Sequence, residues 1–101
     1  MNERIDLIPV SEIARNGNIH STPQYDQARS VYARASSVGS REFFDSLRAG
    51  IELAARFEVW QDEYRDEKLV RWNDQEYRVV RTYRNDAHFS VELVCEKLKG
   101  R

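Results

Sequence analysis

A chain of 101 residues with 41% apolar and 33% charged side chains suits one globular domain with a modest core and a heavily charged surface. The net charge of −1 argues against an electrostatic nucleic-acid binder, which carries a basic excess. The opening MNERIDLIPV lacks signal-peptide architecture, and no apolar run approaches the roughly 18 residues of a membrane span.

Ile5, Leu7, Ile8 and Val10 lean towards β structure. Pro9 lies within the run and has no N–H to give a ladder, so it marks an edge strand or breaks the strand. From Ala14 to Gln27, Asn16-Gly17, Ser21-Thr22-Pro23 and a shortage of apolar residues predict a long loop, a candidate functional segment. In the following stretch, 28–38, Val31, Ala33 and Ala35 alternate with Tyr32, Arg34 and Ser36, as in a half-buried strand.

Between about residues 40 and 49 the chain reads as its single short helix. Ser40 is placed at the N-cap, Glu42 in the first turn and Gly50 at the C-terminal stop. Phe43, Phe44 and Leu47 form its apolar face, and a helix this short must dock to be stable. The clearest pattern follows: Ile51, Leu53, Ala55, Phe57 and Val59 alternate with polar or small residues up to Trp60, predicting one core face and one wet face. Residues 61–68, QDEYRDEK, read as a solvated charged connector containing Tyr64.

A hairpin is predicted from Leu69–Trp72, an Asn73-Asp74 tip and a return strand from Gln75 to Tyr83, with Tyr77, Val79, Arg81 and Tyr83 on one face. A second turn at Asn85-Asp86 leads to a last strand, Ala87 to Lys97, with Phe89, Val91, Leu93 and Cys95 inward. Cys95 is the one cysteine, so it forms no internal disulfide and reads as a small buried hydrophobe in a reducing compartment. About six mostly antiparallel strands and one short helix, joined after Gly50 by hairpin-length links, predict an all-β fold. The economical way to protect its edges is curling the sheet into a small barrel or a tight sandwich, of which a single-domain barrel over 1–101 is the expectation.

Catalytic chemistry finds little support. His20 and His88 are far apart and lack ligand-spaced partners, the glycines are scattered, and the acidic run at 62–67 lacks the offsets and central glycine of a calcium loop. No catalytic residue, metal or cofactor is expected. Arg34, Arg56, Arg78 and Arg84 with outward Tyr32 and Trp60 suggest a stacking platform for single-stranded nucleic acid, although Glu52, Glu58 and Glu92 on the same faces oppose phosphate. Tyr32, Trp60, Tyr64 and Trp72 are candidate interface residues, since large exposed aromatics anchor protein contacts. Trp60 serves equally well as a cover over one end of the barrel.

The order of these pieces resembles the head–tail joining (head-closure, head-completion or stopper) proteins of tailed bacteriophages. Arg4-Ile5-Asp6-Leu7-Ile8 is similar to the family's opening strand, Val31-Tyr32-Ala33-Arg34 to its "V-W-A" strand and Ser40-Arg41-Glu42-Phe43-Phe44 to its short helix. Phe57-Glu58-Val59-Trp60 stands where the family often has a basic run, Asp74-Gln75-Glu76-Tyr77-Arg78-Val79 resembles its hairpin, and Val91-Glu92-Leu93-Val94-Cys95-Glu96 its closing strand. The likeness spans nearly the whole chain and lies in order and spacing. In two departures, Gln75 replaces a turn glycine, and Glu58 and Trp60 replace basic residues.

The resemblance implies a structural virion protein. It would form a homo-oligomeric ring below the portal and adaptor, complete the head after DNA packaging and present the tail attachment surface. Its partners would be portal or adaptor proteins and tail-terminator or tail proteins, with packaged double-stranded DNA passing through the ring and no membrane involved. Assembly would occur in the bacterial cytoplasm. In related rings long loops reach the channel or a neighbouring subunit, which makes Asn16, Gly17, Asn18, His20 and Tyr25 the candidate assembly or channel residues. The alternatives are a small β-barrel binding single-stranded nucleic acid and a regulatory interaction module that keeps the barrel alone.

Overall fold

The computed structural model describes residues 1–98. Eight strands and one helix follow one another: β1 (Glu3–Ile8), β2 (Val10–Arg15), β3 (Asn18–Pro23), β4 (Arg29–Ser36), α1 (Ser40–Arg48), β5 (Leu53–Trp60), β6 (Leu69–Trp72), β7 (Gln75–Asn85) and β8 (Ser90–Lys97). Six of them close an antiparallel barrel in the order β1-β4-β5-β8-β7-β6, with β6 returning to β1, while β2 and β3 form a separate two-stranded sheet. The expected all-β barrel with one short helix is the fold observed. Closure leaves no open edge among the six strands, which is what so small a sheet needs.

Period-two alternation builds the interior. Ile5 and Leu7 of β1, Val31 and Ala33 of β4, Leu53, Ala55, Phe57 and Val59 of β5, and Val91, Leu93 and Cys95 of β8 are all buried. Phe57 lies at the centre, with Trp72 and Tyr77 edge-on to it, each with ring centroids 5.5 Å away. Burial pushes the Cys95 thiol up to about 12 and keeps it protonated at neutral pH. Pro9 breaks the first strand as its missing N–H requires, and β2 begins at the next residue.

Six expectations are corrected. Residues 14–27 are not one loop. Val10–Arg15 and Asn18–Pro23 pair residue for residue around a two-residue turn, Asn16 (φ 54°) and Gly17 (φ 79°), and a short 3-10 turn at Tyr25–Gln27 follows. Asn-Gly at a twisted hairpin tip is the favoured pair for such a turn, and the scarcity of apolar residues reflects a ribbon exposed on both faces.

The helix is capped by Gly39, whose carbonyl accepts from Phe43 N (2.9 Å), and not by Ser40, which is its first residue. At its other end Gly50 (φ 84°) donates to Leu47 O and Ile51 donates to Ser46 O, each at 2.9 Å, a Schellman ending. Only part of the expected apolar face docks: Phe43 is half-buried, but Phe44 is 56% exposed and Leu47 43%, and Ser46 is the buried residue. Polar bonds fasten α1 to the outer barrel wall. Arg81 donates to Ser46 Oγ (2.8 Å), Tyr83 donates to Glu42 Oε2 (2.8 Å), and Glu42 pairs with Arg56 and Arg81 at 3.7 and 3.6 Å.

On β7 the alternation slips by one residue between Val79 and Arg81, where a bulge at Val80 turns the rest of the strand over. Tyr83 therefore lies on the outer wall, opposite Glu92, and does not share the face of Tyr77. The turn before β8 runs through Asp86–Phe89, so Phe89 is 72% exposed and not inward. Finally, the 61–68 connector is not wholly solvated. Glu67 is buried and takes Arg29 Nε at 3.1 Å and the Arg65 backbone N–H at 2.8 Å.

Candidate assembly surfaces

The β2–β3 arm has its root at the barrel and its tip in solvent. The backbone N–H of Gln24 donates to Pro9 O (2.8 Å) at the root, and every residue from Glu12 to Thr22 is exposed. Six residue pairs at about 3.3 Å each give an arm on the order of 20 Å long. On one side a cleft of about 500 Å³ separates Val10, Glu12, Ser21 and Pro23 from Leu69, Val79 and Val80 of the barrel. Ile13 and Ile19, 54% and 72% exposed, are the large apolar residues of the arm. An isolated two-stranded ribbon is marginal in water, and with Ile13 opposite His20 and Ile19 opposite Ala14 the two isoleucines lie on opposite faces of this one.

The candidate residues from the sequence fall into two places. Asn16 and Gly17 make the turn, Asn18 opens β3 opposite Arg15, and His20 lies opposite Ile13, so these four share the outer half of the arm. Tyr25 belongs to the barrel side: its hydroxyl donates to Glu76 Oε1 at 3.0 Å. Of the candidate interface aromatics, Tyr32 (53% exposed) and Trp60 (44%) are on the surface, Tyr32 under the guanidinium of Arg4 at 5.4 Å. Trp72 packs on Phe57 and Tyr77 and donates its indole N–H to Glu3 (3.0 Å). Tyr64 packs against the core and donates its hydroxyl to Glu67 O (2.8 Å). Burial, then the Asp66 and Glu67 charges, push its phenol far above the ordinary range, so it stays neutral. Trp72 and Tyr64 are half-buried, each packed on the core on one side and bonded to the chain's own polar groups on the other.

Sequence reading missed Ile13, Ile19, Phe44, Leu47 and Phe89. Isoleucines flanking Asn-Gly carry a usable signal, since that turn with apolar residues on both sides announces a hairpin. For Phe89 (φ 52°) there is none: a bulky residue in the left-handed region is uncommon, and the turn that forces it is held by bonds distant in sequence.

A second cleft, of about 760 Å³, lies between Trp60, Gln61, Asp62, Glu63, Arg84 and Phe89. Gln61 holds its walls together. Its backbone N–H donates to Phe89 O (2.8 Å), its amide donates to Asp86 Oδ1 (3.0 Å) and Ser90 O (3.1 Å), and its Oε1 accepts from Arg84 (2.9 Å).

The arginines suggested for a stacking platform are all engaged by carboxylates: Arg34 by Glu58 (3.3 Å), Arg56 by Glu42 and Glu92, Arg78 by Glu96, and Arg84 by Asp86 (3.5 Å). The outer wall is thus close to electrically neutral at short range. His20 stands on the arm, while His88 lies in the turn, its backbone N–H donating to Asn85 Oδ1 (3.3 Å). Among the described residues no three His, Cys, Asp or Glu side chains gather as a metal site requires. Among the described residues no helix is long and apolar enough to cross a membrane. A scan against protein-family models finds no match, and a search of curated proteins finds none either.

Proposed function

We propose that the protein is a structural subunit of a tailed-bacteriophage head–tail connector. Copies assemble as a ring below the portal or adaptor, complete the head after packaging and offer the tail its attachment surface. The observation that supports this best is the β2–β3 arm. The barrel buries its own core within one chain, yet it carries a ribbon about 20 Å long that exposes Ile13 and Ile19 and contributes no stave to the barrel. Neighbouring copies or connector proteins covering that ribbon account for it. The paired arginines of the wall support the same reading, because a surface past which DNA must slide should not bind phosphate tightly.

The test uses particles from the host that carries the gene. The chain should be found in purified tailed particles in several copies each. Replacing residues 12–21 by a two-residue turn should leave the barrel folded and yield DNA-filled heads without tails. Absence of the chain from particles, or full infectivity with the shortened arm, overturns the proposal. Tight, steeply salt-dependent binding of a labelled oligonucleotide would move the assignment to the single-stranded nucleic-acid alternative.

A further inference from the structure

Two surfaces left unused by the arm fit one another. On α1, Phe44 and Leu47 are exposed beside Arg41, which has no ion-pair or hydrogen-bond partner among the described residues. At the far end of β5, Trp60 and Phe89 flank a cleft whose polar floor is already satisfied by the Gln61 clasp. Beside them the Asp62 and Glu63 side chains likewise have no partner among the described residues. The helix thus offers two apolar side chains and a free cation, and the cleft offers two aromatic rings and free anions.

We propose that α1 of one copy seats in the Trp60–Phe89 cleft of another, with Phe44 and Leu47 against the rings and Arg41 beside Asp62 and Glu63. Three features support this occupant. First, charge: the wall between the two surfaces has its charges internally paired, so a nucleic acid or a strongly charged partner gains little there, while the groups left over on helix and cleft are opposite in sign. Second, shape: Phe89 stands in a left-handed backbone conformation (φ 52°), its N–H and C=O tied to Asp86 and Gln61, and strain of this kind is kept where it positions a side chain for use. Third, rigidity: the Gly50 ending and the Ser46 and Glu42 bonds hold α1 in place, so a partner finds its apolar face already formed.

Because helix and cleft are different surfaces of one chain, the contact joins copies head to tail, the arrangement that closes into rings. It rests on the connector reading only for the number of copies; the pairwise contact is a property of the isolated chain.

Cross-linking of the full chain tests it. Phe44→Cys chains are mixed with Phe89→Cys chains and treated with a short bis-maleimide; the native Cys95 is buried and stays inert. The mixture should give a cross-linked pair that neither variant gives alone, and Asp26→Cys mixed with Phe89→Cys should give none. Phe44→Glu and Trp60→Ala, each with an unchanged melting curve, should weaken self-association in sedimentation by about tenfold or more, as central aromatic anchors do. No pair above the Asp26 control, or cross-linking of Phe89→Cys to Ile19→Cys in its place, overturns the proposal. Oligomers that persist unchanged in Phe44→Glu remove this contact while leaving the ring standing. A normal contact in a chain absent from virus particles removes the connector reading alone.

Discussion

Arg29 reaches across from the start of β4 to the Glu67 carboxylate with Nε at 3.1 Å, and gives its Nη2 to Glu63 O at 2.7 Å. One side chain thereby pins both ends of the 63–67 connector over the barrel and orients the carbonyl that receives the Tyr64 hydroxyl. Glu67 is buried whereas Arg29 keeps about a quarter of its surface. Removing the carboxylate charge leaves a cation with partial access to water, a milder outcome than orphaning a fully buried one. Glu67→Gln should cost about 2 kcal/mol in denaturant unfolding. A double-mutant cycle with Arg29→Met should recover much of that loss, and additive losses would show that the pair does not act as a unit.

Phe57 should be the most sensitive position of the interior. It is fully buried and takes the edges of two aromatic rings, so Phe57→Ala removes its own packing and leaves Trp72 and Tyr77 facing a void. The expected loss is about 3–5 kcal/mol. A loss under about 1 kcal/mol would contradict the observed register of β5.

Asp6 should contribute a visible part of the acid limb of stability. The Ser30 hydroxyl at 2.6 Å is the largest influence on its carboxyl; burial opposes it, and the Arg71 guanidinium at 2.8 and 3.1 Å joins Ser30 in holding the carboxyl below the ordinary 3.8. A lowered folded-state value means the native protein binds this proton less readily than the unfolded chain. The contribution is therefore complete above pH 3.8 and fades as the pH falls below it through the folded value. In urea midpoints measured from neutral to acid, Asp6→Asn should be less stable near pH 7, with the gap to the parent closing on acidification. Parallel acid limbs would exclude the role.

The β6–β7 tip can be improved. Asn73 (φ 51°) and Asp74 (φ 62°) both stand in the left-handed region, and at the second position glycine is the residue such a turn prefers. Asp74→Gly should stabilise the domain by about 0.5 kcal/mol, because relief of strain outweighs the added freedom of the unfolded chain. Thermal unfolding would show this as a rise of a few degrees.

The staves were legible because a strand with one wet face and one buried face writes its geometry as alternation, and β4, β5 and the Val91–Cys95 part of β8 do so. Closure was legible as one of two ways to protect the edges of a sheet joined by hairpin-length links. What escaped has a shared cause, namely dependence on residues distant in the chain. Phe44 and Leu47 look like a docking face until Arg56, Arg81 and Tyr83 hold α1 by Glu42 and Ser46. Tyr83 changes face because of a bulge at Val80 that has no marker in its neighbours. Glu67 resembles its solvated neighbours until Arg29 is brought beside it. The arm is a different case: Asn16-Gly17 announces a hairpin, but a ribbon wet on both faces lacks the apolar alternation that marks a strand.

The seam between β1 and β6 carries a kinetic consequence. Asp6 and Arg71 meet there across 65 positions of chain, whereas the β6–β7 hairpin closes around two residues. Local hairpins can form within microseconds, but the seam must wait for a large loop to close, and its entropy cost comes before any of its contacts exist. Until then β4 and β6 present open edges. The interval before the first strand arrives is when two growing copies are at greatest risk of pairing with each other in place of themselves.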